Sequence, residues 1–343
     1  MSEKLTRVLV AGIGGASLGT EILKSLRDAG GYAVFGCDIS EYAYGHYQKG
    51  LAGTFMVEQE SYVELLLKLC FKHGIRAVIP GGEEPLALLG PAATRFEEIG
   101  VHIAANSPEV IAICSDKKRL FEQLRDLELP MPRTFAVEDV GELEDIPYPC
   151  VVKPATMSGG SHFVFLASDR TEATLYLSYL LNNCKTALVQ EYIPLDEGEF
   201  TVGILSLPDG RLVGSVAMCR MFNAKLSVLA KTKLGLISSG YSQGLVDEFQ
   251  EVRAQAERIA RAMGSVGPMN IQGRLRNGTL IPFEINPRFS ASMYLRAMAG
   301  FNEIDIYLRY VLHGVEPLTV SIRPGYYLRS LSEVRVDKEE VKR

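Results

Sequence analysis

The chain has 343 residues, 47% of them apolar and 22% charged, with a formal net charge of −5. That is the composition of a soluble globular protein with room for two or three domains. No basic run or basic–aromatic cluster is present, which argues against nucleic acid, and no apolar run reaches the roughly 18 residues of a membrane helix. The six cysteines form no CxxC pair and read as buried thiols of a cytoplasmic protein. The apolar run Val8–Ile13 is too short and glycine-rich for a signal peptide.

In chain order, residues 6–13 read as a buried strand that enters the turn Gly12–Gly15. A helix follows from Ser17 to Ala29, then a strand from Tyr32 to Asp38. Ser61–His73 is a helix with a capping box, Ser61 and Glu64, and a stop at Gly74. Arg76–Pro80 and Val101–Ala105 are strands. This alternation predicts a doubly wound parallel sheet over residues 1–112. Ser115 then caps a helix carrying Leu120, Phe121, Leu124 and Leu127, which Pro130 and Pro132 end.

From Cys150 the pattern becomes α+β, with hairpin-like strands at 150–154, 162–167, 186–191, 199–207 and 211–219. One amphipathic helix spans 248–263, strands follow at 269–275 and 279–286, and a helix lies near 302–313. The expected units are 113–195, 196–323 and a charged tail, 324–343.

The chemistry concentrates at Glu284–Arg288, at the end of an alternating strand. Ile281, Phe283 and Ile285 are expected on one face, Glu284 and Asn286 on the other. A carboxylate and an amide oxygen side by side suit Mg²⁺, and Arg288 just beyond suits a transferring phosphoryl group. The preceding strand ends in the hairpin signal Asn277–Gly278. A two-residue turn would pair Gln272 with Phe283, on the wrong face. A three-residue loop pairs Gln272 with Pro282 and Asn270 with Glu284, and is the expected register because it gathers Asn270, Gln272, Glu284 and Asn286. A solvated polar face is the plain alternative.

Three weaker signals accompany it. Val151–Pro154 delivers Lys153 at a strand end, before a small-residue loop, Ser158, Gly159, Gly160 and Ser161, whose backbone N–H groups suit phosphate oxygens and which can close as a lid. Such a loop is equally an ordinary hairpin turn. Leu188–Pro194 is an apolar strand running into a polar hinge. The Gly12–Ser17 turn with Asp38 gives half of a dinucleotide fingerprint, but Ser17 stands where the third glycine belongs, so tight packing explains it as well.

Taken in order, Ser115–Arg119, Val151–Pro154, Ser158–Ser161, Gln190–Tyr192, Glu199–Thr201, Asn270–Gln272 and Glu284–Arg288 resemble the ATP-grasp superfamily. They look closest to one ATP-binding unit of the carbamoyl-phosphate synthetase large chain. The resemblance implies an α/β pre-ATP-grasp domain followed by a two-part ATP-grasp fold. It implies that Lys117 and Lys153 contact ATP phosphates, with Ser158, Gly159, Gly160 and Ser161 covering them and Lys231 adding a contact. Gln190, Glu191 and Tyr192 would meet adenine and Glu199 the ribose. Gln272, Glu284 and Asn286 would hold Mg²⁺, or Mn²⁺ in its place. Arg288 would steady the transferred phosphate.

With one such unit and no glutaminase domain, the chain looks like a single-unit carboxylate–amine ligase that works through an acyl phosphate. Its partners would be a small carboxylate and an amine, in a homodimer as the family implies. Gly14, Gly15, Glu83, Glu84 and Arg296 are candidate substrate residues. The alternatives are a bicarbonate-activating carboxylase, a non-catalytic nucleotide-binding protein and, more distantly, a dinucleotide-dependent oxidoreductase.

Overall fold

The computed structural model describes residues 5–143, 146–156, 163–223 and 225–342. The amino-terminal part follows the expected alternation: β1 (Thr6–Ala11), α1 (Leu18–Ala29), β2 (Tyr32–Asp38), β3 (Gly53–Met56), α2 (Tyr62–His73), β4 (Ala77–Pro80), α3 (Glu83–Leu89), α4 (Ala93–Glu97) and β5 (His102–Ile103). The five strands pair in parallel in the order β3-β2-β1-β4-β5. Order reverses between β1 and β4, so the loops after these two strands open a crevice at the carboxyl end of the sheet.

Those loops explain the glycine turn. A Cβ on Gly81 or on Gly19 would collide with the Gly12 carbonyl, and Gly12 itself has φ +96°. Asp38 Oδ2 accepts from the Ile13 amide at 2.8 Å. The turn is therefore built for close backbone packing, with Asp38 tying it down. The expected capping box on α2 does not form. Ser61 has φ −117° and ψ 23° and makes no side-chain cap bond, because a cap residue needs extended backbone. Glu64 pairs instead with Arg95 at 2.7 Å, while Gly74 stops the helix in the left-handed conformation as expected.

The next stretch holds α5 (Pro108–Ser115), α6 (Lys117–Asp126), β6 (Thr134–Val137), β7 (Cys150–Pro154), β8 (Phe165–Ala167), α7 (Arg170–Leu181) and β9 (Ala187–Glu191). The helix expected to start at Ser115 is α6, and a separate helix, α5, precedes it. Ser115 ends α5, and Asp116 caps α6, its Oδ1 accepting from the amides of Lys118 at 2.9 Å and Arg119 at 3.3 Å. That helix stops at Asp126, before either proline. The strands form an antiparallel sheet, β6-β9-β7-β8. Helix α7, which the sequence reading missed, covers it with Ala173, Leu177 and Leu180. Its run of Leu and Tyr carries little one-sidedness, so it lacks a clear helical period.

The remainder comprises β10 (Glu199–Ser206), β11 (Leu212–Arg220), β12 (Val228–Lys231), β13 (Leu236–Ser238), β14 (Gly244–Val246), α8 (Gln250–Ala262), β15 (Pro268–Arg276), β16 (Thr279–Asn286), α9 (Met293–Met298), α10 (Glu303–His313) and β17 (Gly325–Tyr327). Six of these strands form one sheet, β16-β15-β10-β11-β14-β17, while β12 and β13 pair separately. Helix α8 packs Val252, Ala256 and Ile259 on its apolar face, against Val202, Ile204 and Ile271.

A second cluster joins Leu18, Ile22 and Leu26 of α1 to Phe289, Met293, Phe301, Ile304 and Leu308, which brings the first sheet to the far end of the third. The tail reinforces this joint. After β17, Arg329 pairs with Glu21 at 3.0 Å, and the Lys342 ammonium donates to the Thr54 carbonyl at 3.0 Å.

Asp116→Ala should lower stability by about 1 kcal/mol, the usual worth of such a cap, seen as a lower urea midpoint at unchanged slope. Ser115→Ala should change it by less than about 0.5 kcal/mol. Equal effects of the two would contradict the cap assignment.

Candidate active site

The site begins with the register of β15 and β16. The turn is two residues long, Asn277 and Gly278, with φ +52° and +71°. The expected three-residue loop does not form, because a turn left-handed at both positions matches the twist of the flanking strands. Arg274 accordingly faces Ile281 and Gly273 faces Pro282. A β-bulge then intervenes, and Phe283 is the extra residue on β16. Beyond it Gln272 faces Glu284, and Asn270 faces Asn286. The expected pairs, Gln272–Pro282 and Asn270–Glu284, are thus replaced, but the four polar side chains still share one face.

The bulge also corrects the expected apolar face. Opposite residues of a ladder share a face, so Leu280, Pro282 and Ile285 lie with Ile271 and Leu275, while Ile281 lies with Arg274. Phe283 lines the cavity next to Glu284. Gly273 sits at the bulge, where a Cβ would lie 2.7 Å from the Ile281 carbonyl oxygen.

Three rows cross this polar face of the sheet. In the first, Glu199 lies between two arginines, Arg220 Nη1 and Arg274 Nε each donating to one of its oxygens at 2.8 Å. The second row is Thr201, Gln272 and Glu284, and the third Gly203, Asn270 and Asn286. Glu199 is fully buried, so it is a structural anion between two guanidinium groups and offers nothing to a ribose. Leaving those charges unpaired would cost about 3–5 kcal/mol.

Arg220 and Arg274 were not anticipated from the sequence. Arg274 also donates to the carbonyls of Ile193 at 2.7 Å and Leu236 at 2.8 Å, and its guanidinium lies 4.8 Å from the Tyr192 ring centre. It ties the end of β9 to β13.

A cavity opens between the two antiparallel sheets. Its apolar part is lined by Val151, Val164, Ile193, Leu236, Ile237 and Phe283, and its polar part by Lys117, Lys153, Gln190, Glu191, Tyr192, Ser238, Arg274 and Glu284. Lys153 is buried. Its Nζ donates to Gln190 Oε1 at 2.9 Å and to the carbonyl of the bulged Phe283 at 3.2 Å. Burial and the neighbouring Lys117 push its pKa down to about 7, against the pull of Glu284.

Gln190 therefore orients Lys153, and its Nε2 donates to Thr134 at 2.9 Å. The Glu191 carboxylate is held by Arg276 Nη1 at 2.6 Å and by the Arg133 amide at 3.1 Å. The Tyr192 hydroxyl accepts from the Leu236 amide at 2.9 Å. These hinge side chains shape the slot through one another.

Lys231 is exposed at the end of β12, and the cavity is lined by β13 beside it, not by Lys231. Ser158, Gly159, Gly160 and Ser161 lie outside the described residues. Arg288 meets Glu83 across the crevice, its Nη2 donating to the carboxylate at 3.0 Å. Glu84 is exposed one residue further on, at the start of α3, and Gly14 and Gly15 lie in the turn opposite.

The expectation that Arg296 holds a substrate carboxylate is overturned. It is fully buried and ion-paired with Glu303, and it donates to Ser292 Oγ at 2.6 Å and Ser290 Oγ at 3.1 Å.

The donor set fits the metal that the motif implies. Gln272 and Glu284 are opposite each other and Asn286 is next on the strand. Asn286 Nδ2 donates to Glu284 Oε1 at 3.1 Å, while Gln272 Oε1 and Asn286 Oδ1 accept only long contacts, from Arg220 at 3.4 Å and Arg288 at 3.5 Å, which a cation would replace. Hard oxygen donors with a single carboxylate suit Mg²⁺, which completes its shell from phosphates and water. No cluster of three His, Cys, Asp or Glu exists among the described residues to compete for it.

Comparison with known proteins finds similarity in sequence and in fold. Residues 183–334 match a family model described as "ATP-grasp in the biosynthetic pathway with Ter operon". The carbamoyl phosphate synthase large chain of Mycobacterium sp. (strain JLS) is 29% identical over 230 residues, covering 64% of this chain and 20% of the relative. That of Haemophilus ducreyi is 26% identical over 277 residues, covering 77% and 25%. The chain thus spans about a fifth to a quarter of the length of these curated relatives.

Among solved structures, L-amino acid ligase from Bacillus licheniformis superposes with a TM-score of 0.69 at 16% identity, over 94% of this chain and 78% of that one. The biotin carboxylase domain of Hydrogenobacter thermophilus 2-oxoglutarate carboxylase, in complex with MgADP and bicarbonate, gives 0.63 at 16% identity, over 87% and 67%. The chain has the fold of these structures, and residues 183–334 carry its similarity to the ATP-grasp family model. Within that class its sequence is similar to the carbamoyl phosphate synthase large chain.

Lys153 sets a pH dependence. A polyphosphate held by Lys153 would favour the charged ammonium, so its binding should be full below pH about 7 and should weaken as pH rises through it, by up to tenfold per unit. Calorimetry of Mg·ADP binding at pH 8 in buffers of different ionisation enthalpy should show proton uptake. Lys153→Ala should abolish that uptake, and identical uptake in the variant would contradict the assignment.

Proposed function

We propose that this protein is an ATP-dependent carboxylate–amine ligase that forms an amide bond through an acyl phosphate and releases ADP and phosphate. The observation that carries the reading is the cavity between the two antiparallel sheets. An apolar slot lined by Val151, Ile193, Leu236, Ile237 and Phe283 leads there to Lys117, Lys153 and Glu284, with Arg288 beyond them on the same strand end, facing the crevice of the first sheet.

The residues divide the work by position. Val151, Ile193, Leu236, Ile237 and Phe283 bury the base. Lys117 and Lys153 hold phosphate oxygens, Lys153 in a fixed pose because Gln190 and the Phe283 carbonyl hold its ammonium. Gln272, Glu284 and Asn286 would hold the divalent ion, which would supply charge neutralisation for the phosphates.

Arg288, with Nη2 reaching Glu83 and Nη1 donating to the Phe289 carbonyl at 2.9 Å, points its charge at the junction where a substrate carboxylate meets the γ-phosphate. A carboxylate oxygen attacks the γ-phosphorus, the bond to the bridging oxygen breaks, and ADP leaves. The amine nitrogen then attacks the acyl carbon, the carbon–oxygen bond to phosphate breaks, and the amine proton is lost to solvent. No protein nucleophile takes part, since orientation and electrostatic stabilisation suffice.

ADP release should require a carboxylate together with an amine, in assays with ATP, Mg²⁺ and pooled amino acids or small carboxylates. Release with bicarbonate alone would replace the ligase reading with a carboxylating one. Lys153→Ala should lower turnover at least about 100-fold while its circular dichroism spectrum stays native. Normal turnover in that variant would end the phosphate role.

A further inference from the structure

The third row of the polar sheet face holds a group that the proposed chemistry has not used. Asn270 is buried and lies directly opposite Asn286. Its Oδ1 accepts from Thr201 Oγ1 at 3.0 Å and from Arg296 Nη1 at 3.4 Å. With Oδ1 held by the buried Thr201 hydroxyl and by Arg296, the amide turns its Nδ2 away from both. Its Nδ2 is left buried and without a partner among the described residues. Buried amide donors are nearly always satisfied, and an orphan beside an active centre points to a ligand that satisfies it.

The orientation is held by a built device. Arg296 and Glu303 form an ion pair with no exposure on Arg296 and almost none on Glu303. The pair lies over Gly203, on the same row as Asn270, and any Cβ on Gly203 would collide with it. The same guanidinium holds Ser290 and Ser292, which belong to the loop that carries Arg288. One buried cation thus sets both the loop of the phosphate-facing arginine and the flip of the Asn270 amide.

We propose that Asn270 is a further substrate-binding residue, whose amide N–H donates to an anionic oxygen at the phosphoryl-transfer end of the site, and that Arg296 is the positioning residue that turns it there. This rests on the ligase reading. The acceptor is an oxygen of the transferred phosphoryl group or of the carboxylate that receives it. Both are oxyanions, and both lie next to Glu284 and Asn286 in that reading. Asn270 thus stands beside the cation ligands as an anion donor, and the arginine first expected to bind substrate directly acts one residue away from it.

The test is calorimetry on the full chain, first with Mg·ADP, then with inorganic phosphate or acetate added to the Mg·ADP-saturated protein. Asn270→Asp keeps the shape and loses the donor. It should leave Mg·ADP affinity within about twofold and weaken phosphate or acetate at least tenfold, as expected for a lost charge-assisted bond. Arg296→Lys, which keeps charge against Glu303 but lacks the fork, should reproduce the loss without altering Mg·ADP binding. Should that variant fail to fold, Thr201→Val releases Asn270 Oδ1 from its other partner and should weaken the same anion about threefold.

Weakening confined to phosphate assigns the donor to the phosphoryl oxygen, and weakening confined to acetate assigns it to the substrate carboxylate. Intact affinity for both in Asn270→Asp, with Mg·ADP still bound, overturns the proposal alone, as does a wild-type protein that binds Mg·ADP but neither anion. A wild-type protein that does not bind Mg·ADP overturns the ligase reading together with the proposal.

Discussion

One extra residue in a hairpin governs the site. Without the bulge at Phe283, the tight Asn277–Gly278 turn would put Glu284 on the apolar face. With it, Glu284 moves opposite Gln272, the phenyl ring of Phe283 enters the cavity, and the Phe283 carbonyl receives the Lys153 ammonium. A single irregularity thus supplies a carboxylate, an apolar wall and an anchor for a cation. Bulges gather next to functional sites because they re-aim side chains in this way.

The rest of the site is an exercise in burying charge without leaving it alone. Arg220 and Arg274 share Glu199 between them, and Arg296 takes Glu303. Desolvation lowers the pKa of Arg220, against the pull of Glu199 and Glu284. Cations held under such tension favour an incoming polyanion, since each new negative oxygen relieves a desolvation cost already borne in the free protein.

Contact between the two ends of the chain completes the geometry. The α1 helix packs on Phe289, Met293 and Ile304, and the tail returns past Glu21 to Thr54. This docking sets the crevice of the first sheet against Arg288, where Glu83 meets it. An acceptor bound in that crevice would lie beside the phosphoryl group by construction, which is the positional requirement of a two-substrate ligase.

The amino-acid sequence determined the strand–helix alternation of the first sheet, the antiparallel character of the rest, and which residues the candidate site offers: Lys153, Gln272, Glu284, Asn286 and Arg288. These follow from periodicity and from local chemistry, which act over a few residues. It did not determine what each charged side chain does. Arg296 looked like a substrate ligand and Glu199 like a ribose ligand because neither partner is visible nearby: Glu303 comes from the start of the next helix, and Arg220 and Arg274 from neighbouring strands. Nor did it show the bulge, since alternation reads a strand as if every residue were paired. Burial and pairing are set by elements distant in the chain, so only the tertiary structure separated the buried, ion-paired arginines from Arg288, which faces the crevice.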